Sequence, residues 1–168
     1  RTAQRSIDAQ YYLYHDDLIG RLLTDQLLKA ADRGVRVRLL VDDMDMAGRD
    51  LGPAVGDSHP NMQVRLFNPF SRETSRASQF VTRMGSVTRR AHNKLFIVDN
   101  QMAIVGGRNI ANPYFGLSKK YNFRDLDALV AGAVIEELSD AFDEYWNVDL
   151  AYPGVAMVEL ENADEHIQ

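Results

Sequence analysis

A chain of 168 residues, 45% hydrophobic and 26% charged, has the size and balance of one globular domain with a substantial core. The absence of cysteine excludes disulfides, and no apolar run approaches the roughly eighteen residues that a membrane-spanning helix needs. The formal net charge of −5 is unevenly divided: residues 64–94 carry seven Lys or Arg against one acid, Glu73, while from Trp146 onward there are five acids and no Lys or Arg. A basic block beside a site suits an anionic substrate, lipid phosphate or nucleic acid alike, although a solvated basic loop has the same composition.

Residues 6–14 read as a strand with Ile7, Ala9, Tyr11 and Leu13 on one face. Asp16 or Asp17 is placed to cap the next helix, in which Leu18, Ile19, Leu22, Leu23, Leu27, Ala30 and Ala31 keep helical spacing, and Gly34 sits where a helix C-terminal glycine belongs. Val35, Val37, Leu39 and Val41 alternate with Arg36 and Arg38, a second strand. Strand, helix and strand at this spacing predict a βαβ unit. The expected fold is therefore α/β, a mixed, mostly parallel sheet with helices on both faces.

Asp42, Asp43 and Asp45 cluster at the end of the second strand. Loop acids making turns and local pairs are the expectation, with a metal site as the alternative. Residues 48–61 read as loop and residues 64–67 as a short strand. Residues 68–90 hold Pro, Ser, Thr and Arg with scattered apolar side chains, the composition of a lid or substrate wall. Phe70, Phe80, Val81 and Met84 in it can meet acyl chains or patch the edge of a core.

The next segment carries the chemistry. His92-Asn93-Lys94 is followed by Asp99 and by Gly106-Gly107-Arg108-Asn109. Residues 95–98 and 102–105 are apolar and β-prone around an Asp99-Asn100-Gln101 turn, which makes a hairpin. Alternation puts His92 and Lys94 on one face, about 7 Å apart along the strand. Asp99 has the opposite parity and supports the turn. Gly106 and Gly107 mark a sharp turn or a close backbone approach. Lys94 and Asn109 can bind non-bridging phosphate oxygens, and His92 can attack phosphorus or protonate a leaving oxygen. No His-x₃-His spacing accompanies them, so neither zinc nor any other cofactor is expected, and the cations take a metal's place. Beyond the hairpin, Asn112-Pro113 breaks the chain, residues 126–130 form a strand, and Val134, Ile135, Leu138, Phe142, Tyr145 and Trp146 line a helix.

The stretch HNKLFIVDNQMAIVGGRN resembles the signature of the phospholipase D superfamily, H-x-K-x₄-D-x₆-G-[GS]-x-N, at full spacing. The flanks around it resemble the N-terminal half of bacterial C-type cardiolipin synthases over roughly residues 1–150, leaving residues 151–168 as an acidic linker or tail. The resemblance implies that His92 is the nucleophile or general acid and that Lys94, Asn109 and Gly107 hold phosphate. It makes Asp99 and Gly106 structural parts of the motif, and Asp125, or else Asp127, the acid that orients the histidine. It implies phosphatidyl transfer through a phosphohistidine, on an anionic phospholipid, at the bacterial cytoplasmic membrane as a peripheral protein. Such sites use two motifs, and His15, His59 and His166 lack a Lys two residues on. The partner is then the second half of a longer parent chain, of which this sequence, starting at Arg1, looks like a piece, or else a homodimer mate. The alternatives are a single-motif phosphodiesterase or nuclease active as a homodimer, and a phosphate-binding module without catalysis.

Overall fold

The computed structural model describes residues 2–43, 59–70 and 89–155. The expectations for Asp45, Phe80, Val81 and Met84, for most of the two long loops, and for residues 156–168 lie outside them. The elements are β1 (Ser6–Tyr11), α1 (Leu18–Asp32), β2 (Arg36–Asp42), β3 (Met62–Phe67), β4 (Leu95–Val98), β5 (Met102–Gly106), a short 3-10 turn (Asn112–Phe115), β6 (Asp127–Ala131), α2 (Val134–Asn147) and β7 (Ala151–Pro153).

The strands form one sheet in the order β6-β5-β4-β1-β2-β3-β7. The βαβ reading holds, since β1 lies parallel to β2, and β3 continues parallel on the far side of β2. The sheet is nevertheless mostly antiparallel, because the β4–β5 hairpin, its pairing with β1 and the additions of β6 and β7 are all antiparallel. Only the β4–β5 pair owes that geometry to a short connection, the turn at residues 99–101; the other antiparallel pairs join strands far apart in the chain. Residues 151–153, expected to begin a linker, pair with β3 as the seventh strand.

Alternation divides the strands between two cores. Ile7, Ala9, Val37, Leu39, Val41, Met62 and Val64 pack with Leu27, Ala30 and Ala31 of α1. Leu40, Leu95, Ile97 and Ala103 pack with Ile135, Phe142 and Trp146 of α2 on the opposite face. Helices therefore cover both faces. Asp17 caps α1 by accepting from the backbone amides of Ile19 and Gly20, a contribution of about 1 kcal/mol. Its other oxygen accepts from Asn112 N at 2.6 Å, which ties the helix start to the segment following the glycine pair. Gly34, at φ +87°, ends the helix as expected. Two helical stripes are narrower than predicted, for Leu18, Leu22 and Val134 are exposed at the ends or margins of their helices.

Candidate active site

β1, β2 and β3 end at Tyr11, Asp42 and Phe67, and the antiparallel β4 begins beside those ends at Leu95. The histidine and lysine therefore stand at the carboxyl edge of the parallel strands, where α/β sheets commonly place ligands. The run into the motif is pinned from below. Asp42, fully buried, accepts from Ala91 N at 2.8 Å and from the Arg90 guanidinium at 3.2 Å. Arg90 also donates to Asn68 O at 3.1 Å, and Asn68 Nδ2 donates to Arg89 O at 2.8 Å. Asp43 accepts from Phe70 N at 2.8 Å. The aspartates expected as loop acids are thus a buried frame for the motif, and Phe70 is core beneath Arg90 rather than an acyl-chain contact. The basic block also thins, since Arg90 pairs with Asp42 and Arg65 lies over the Trp146 ring.

His92 is exposed and Lys94 is 7% exposed. Lys94 Nζ lies 3.0 Å from His92 Nδ1, 3.1 Å from Nε2, and donates to His92 O at 2.6 Å. Tyr12 closes one side, its ring 4.7 Å from the imidazole and 5.2 Å from the ammonium. Partial burial, helped by the Lys94 charge, lowers the His92 pKa below its ordinary 6.5, which favours a neutral imidazole at pH 7. Burial also lowers the Lys94 pKa, opposed by the charges of Asp125 and Asp42. Among the described residues, no carboxylate lies within ion-pair distance of this ammonium, and its strongest contacts are to the histidine.

Asp99 stands in the turn at φ +56° and gathers the backbone amides of Gln4, Arg5 and Ser6 onto its carboxylate. Burial pushes its pKa up, but these hydrogen bonds outweigh that and hold it below 3.8. Asn109, 3% exposed, accepts from Leu13 N at 3.0 Å and donates to the Tyr114 hydroxyl at 2.9 Å. Both ends of its amide are therefore engaged in fixing the rim. A Cβ on Gly107 would meet an Asp125 carboxylate oxygen at 2.0 Å, and one on Gly106 would meet Asp127 Oδ1 at 2.1 Å and Leu126 O at 2.6 Å. The close approach expected of the glycine pair is thus to the two acids leading into β6. Neither acid is hydrogen-bonded to His92 among the described residues. Asp125 acts on Lys94 through its charge, and Asp127 pairs with Arg108.

A cavity of about 200 Å³ beside the pair is lined by Lys94, Ile104, Gly106, Arg108, Phe115 and Asp127, among others. No group of three or more acids or histidines among the described residues is placed to hold a metal ion. Tyr12 and Asn68 were not legible as site residues, and Asp42 was legible only as a loop acid or metal ligand, not as the frame of the motif. Their one signal is position, at or just past the carboxyl ends of parallel strands.

The family profile for the cardiolipin synthase PLD-like domain matches residues 1–146. Cardiolipin synthase C of Escherichia coli K12 is 48% identical over 144 residues, which is 86% of this chain and 30% of that protein. The chain therefore spans about a third of the length of that relative. Phosphatidylserine synthase of Haemophilus influenzae Rd KW20 superposes with a TM-score of 0.65 at 19% identity, over 90% of this chain and 34% of the other. Nuc of Salmonella typhimurium, a phospholipase D family member, superposes with a TM-score of 0.59 at 19% identity, over 90% of this chain and 83% of the other.

Proposed function

Since the chain belongs to the PLD-like domain family of cardiolipin synthases, we propose that it supplies one of the two histidine–lysine sets of a phosphatidyl transfer at a membrane surface. The observation that carries this reading is the contact of Lys94 Nζ with both ring nitrogens of His92 at an open rim. A neutral imidazole nitrogen attacks the phosphorus of a phospholipid diester. The bond to one alcohol breaks, and that alcohol leaves with a proton donated by an acid on the far side. The phosphohistidine is then attacked by a second alcohol, whose proton returns to the same acid–base group. Lys94 holds the non-bridging oxygens and stabilises the charge that grows on them. Asp125 serves by biasing Lys94 to its charged form. Asn109 and Gly107 shape the rim on which the phosphate rests. No described helix is long and apolar enough to cross a membrane.

The acid on the far side belongs to a second half. Supporting this is an uncovered apolar stretch of sheet next to the site. Ile104 and Leu129, cross-strand partners, are 46% and 72% exposed, and Met102 beside them is 45% exposed. Ile104 also lines the Lys94 cavity, so the apolar face runs up to the chemistry. A face of this kind marks an interaction surface. Because this domain spans most of the Nuc chain, a phosphodiesterase that completes its site with a second copy is the alternative.

The test is made in the whole protein that contains this chain. His92→Ala is expected to abolish headgroup exchange, a loss of several orders of magnitude, and to remove the acid-labile phosphohistidine trapped with labelled phospholipid. Near-normal exchange by a folded variant sinks the reading.

A further inference from the structure

Between the 3-10 turn and β6 the chain exposes large apolar side chains in close succession. Phe115, Leu117, Tyr121, Phe123 and Leu126 are 41–85% exposed. Lys119, Lys120 and Arg124 stand exposed among them. Residues 112–124 hold these three cations and no acid. Among the described residues, no carboxylate lies within ion-pair distance of any of the three. The acids that follow are engaged inward, Asp127 with Arg108 and Asp125 against Gly107.

The segment is held in shape from within. Phe123 N donates to Pro113 O at 2.9 Å, and Leu117 N to Asn112 O at 3.1 Å. Ser118 and Asn122 exchange two hydrogen bonds of 3.0 Å. The Phe123 ring lies 4.8 Å from that of Tyr114 and 5.3 Å from that of Tyr121. The same loop borders the site, since Tyr114 accepts from Asn109 and Phe115 lines the cavity that Lys94 bounds.

We propose that this loop docks the protein on an anionic phospholipid surface, its lysines on the headgroup phosphates and Tyr121, Phe123 and Leu117 in the interfacial layer. Aromatic rings with a polar rim or neighbour settle at that depth, and each cation near an anionic surface adds to the attraction. Interleaved apolar and basic side chains supply both forces from one loop. A second copy of the same loop does not fit, because it would set cations against cations. A nucleic acid strand fits less well. Phe123 already spends its ring on Tyr114 and Tyr121, and Leu117 and Leu126 offer no face for a base to stack on. On the phosphatidyl-transfer reading, on which the role of the loop rests, docking brings the Lys94 cavity down to the headgroup layer.

The experiment is sedimentation of the 168-residue chain with vesicles of a quarter phosphatidylglycerol in phosphatidylcholine, beside vesicles of phosphatidylcholine alone. Binding is expected to the anionic vesicles and to weaken in high salt. Lys119→Ala with Lys120→Ala is expected to lower the partition coefficient about 25-fold. In Tyr121→Trp, emission is expected to move to shorter wavelength on those vesicles, while that of the parent chain, from the buried Trp146 alone, stays in place. Equal binding to the two kinds of vesicle, binding indifferent to both lysines, or an unmoved Tyr121→Trp emission overturns the proposal. So does tighter binding of a single-stranded oligonucleotide that depends on the same lysines. In the whole protein the double lysine variant is expected to lower turnover on anionic vesicles about 25-fold and to leave turnover of a short-chain, monomeric phospholipid unchanged. Equal losses on the two substrates, or none on vesicles, overturn the docking role. Vesicle binding needs no turnover, so its failure is distinct from a failure of the His92→Ala test.

Discussion

Lys94 holds its charge in a setting that disfavours it. Its folded-state pKa lies below 10.5 because burial outweighs the attraction of Asp125 and Asp42. Between those two values the unfolded chain binds more protons, so the contribution of this group to stability rises with pH across that window. Below the window the buried ammonium is a standing cost. Lys94→Met should therefore leave the melting temperature unchanged or raised near neutral pH, while transfer in the whole protein falls about 100- to 1,000-fold. A variant that is both destabilised and active contradicts this assignment. His92 has the same direction of shift. Its protonated form is disfavoured in the fold, so stability falls as pH drops below 6.5 towards the folded value. A titration of the His92 ring followed by NMR should show a midpoint below 6.5 that climbs in Lys94→Met; a midpoint at or above 6.5 removes the case for a neutral nucleophile. The pairing of these two side chains was legible because an i, i+2 relation on extended chain fixes a shared face whatever the rest of the fold does. The orienting acid was not legible in the same way. Where the Asp125 carboxylate lies depends on Gly107 and on the docking of β6, and neither is a local property.

The glycine pair shows what an element demands of its residues. At Gly106 an added Cβ meets backbone, with Leu126 O at 2.6 Å and Asp127 Cα at 2.8 Å. The β5–β6 pairing of Gly106 with Asp127 cannot accommodate it without strand separation. At Gly107 the obstacle is the carboxylate end of the exposed Asp125. Gly106→Ala should accordingly destabilise the domain by about 1–3 kcal/mol, whereas Gly107→Ala should cost little stability and weaken phosphate binding by displacing Asp125. Denaturant melts of the two variants, with phosphate titration of the second, check the difference, and equal losses of stability refute it. The hairpin containing this pair was readable from two apolar runs and a turn. α1 was readable from its caps and period, and α2 from its period alone. β7 was not, because three residues ending in Pro153 carry no periodicity and owe their strand geometry to β3. The predominance of parallel pairing was over-read for a related reason. A βαβ unit declares itself in sequence, but antiparallel additions at both edges of the sheet are decided by which edges remain free.

For the whole molecule the deciding feature is the sheet face that α1 leaves bare. α1 covers β1, β2 and β3, while Met102, Ile104 and Leu129 stand beyond it on β5 and β6. Nothing in the hydrophobic pattern of the strands distinguishes residues buried by a helix from residues awaiting another domain, so this face emerged only with the fold. It adjoins a site with no second histidine–lysine set among the described residues, and on the proposed transfer one arrangement would answer both. A two-fold pairing of this domain with a similar one would bury the face and bring a second histidine towards the first. A stable pair buries about 800 Å² on each side, more than three side chains supply, so two isolated copies should associate weakly. The 168-residue chain is therefore expected to be largely monomeric at micromolar concentration and nearly inactive, with activity rising alongside the dimer fraction. Leu129→Glu, at a position 72% exposed, should abolish association without unfolding the monomer. Sedimentation velocity in parallel with a phosphodiesterase and transfer assay decides the matter. Full turnover by a strict monomer, or by the Leu129→Glu variant, would show that one histidine–lysine set is sufficient and that the bare face serves some other contact.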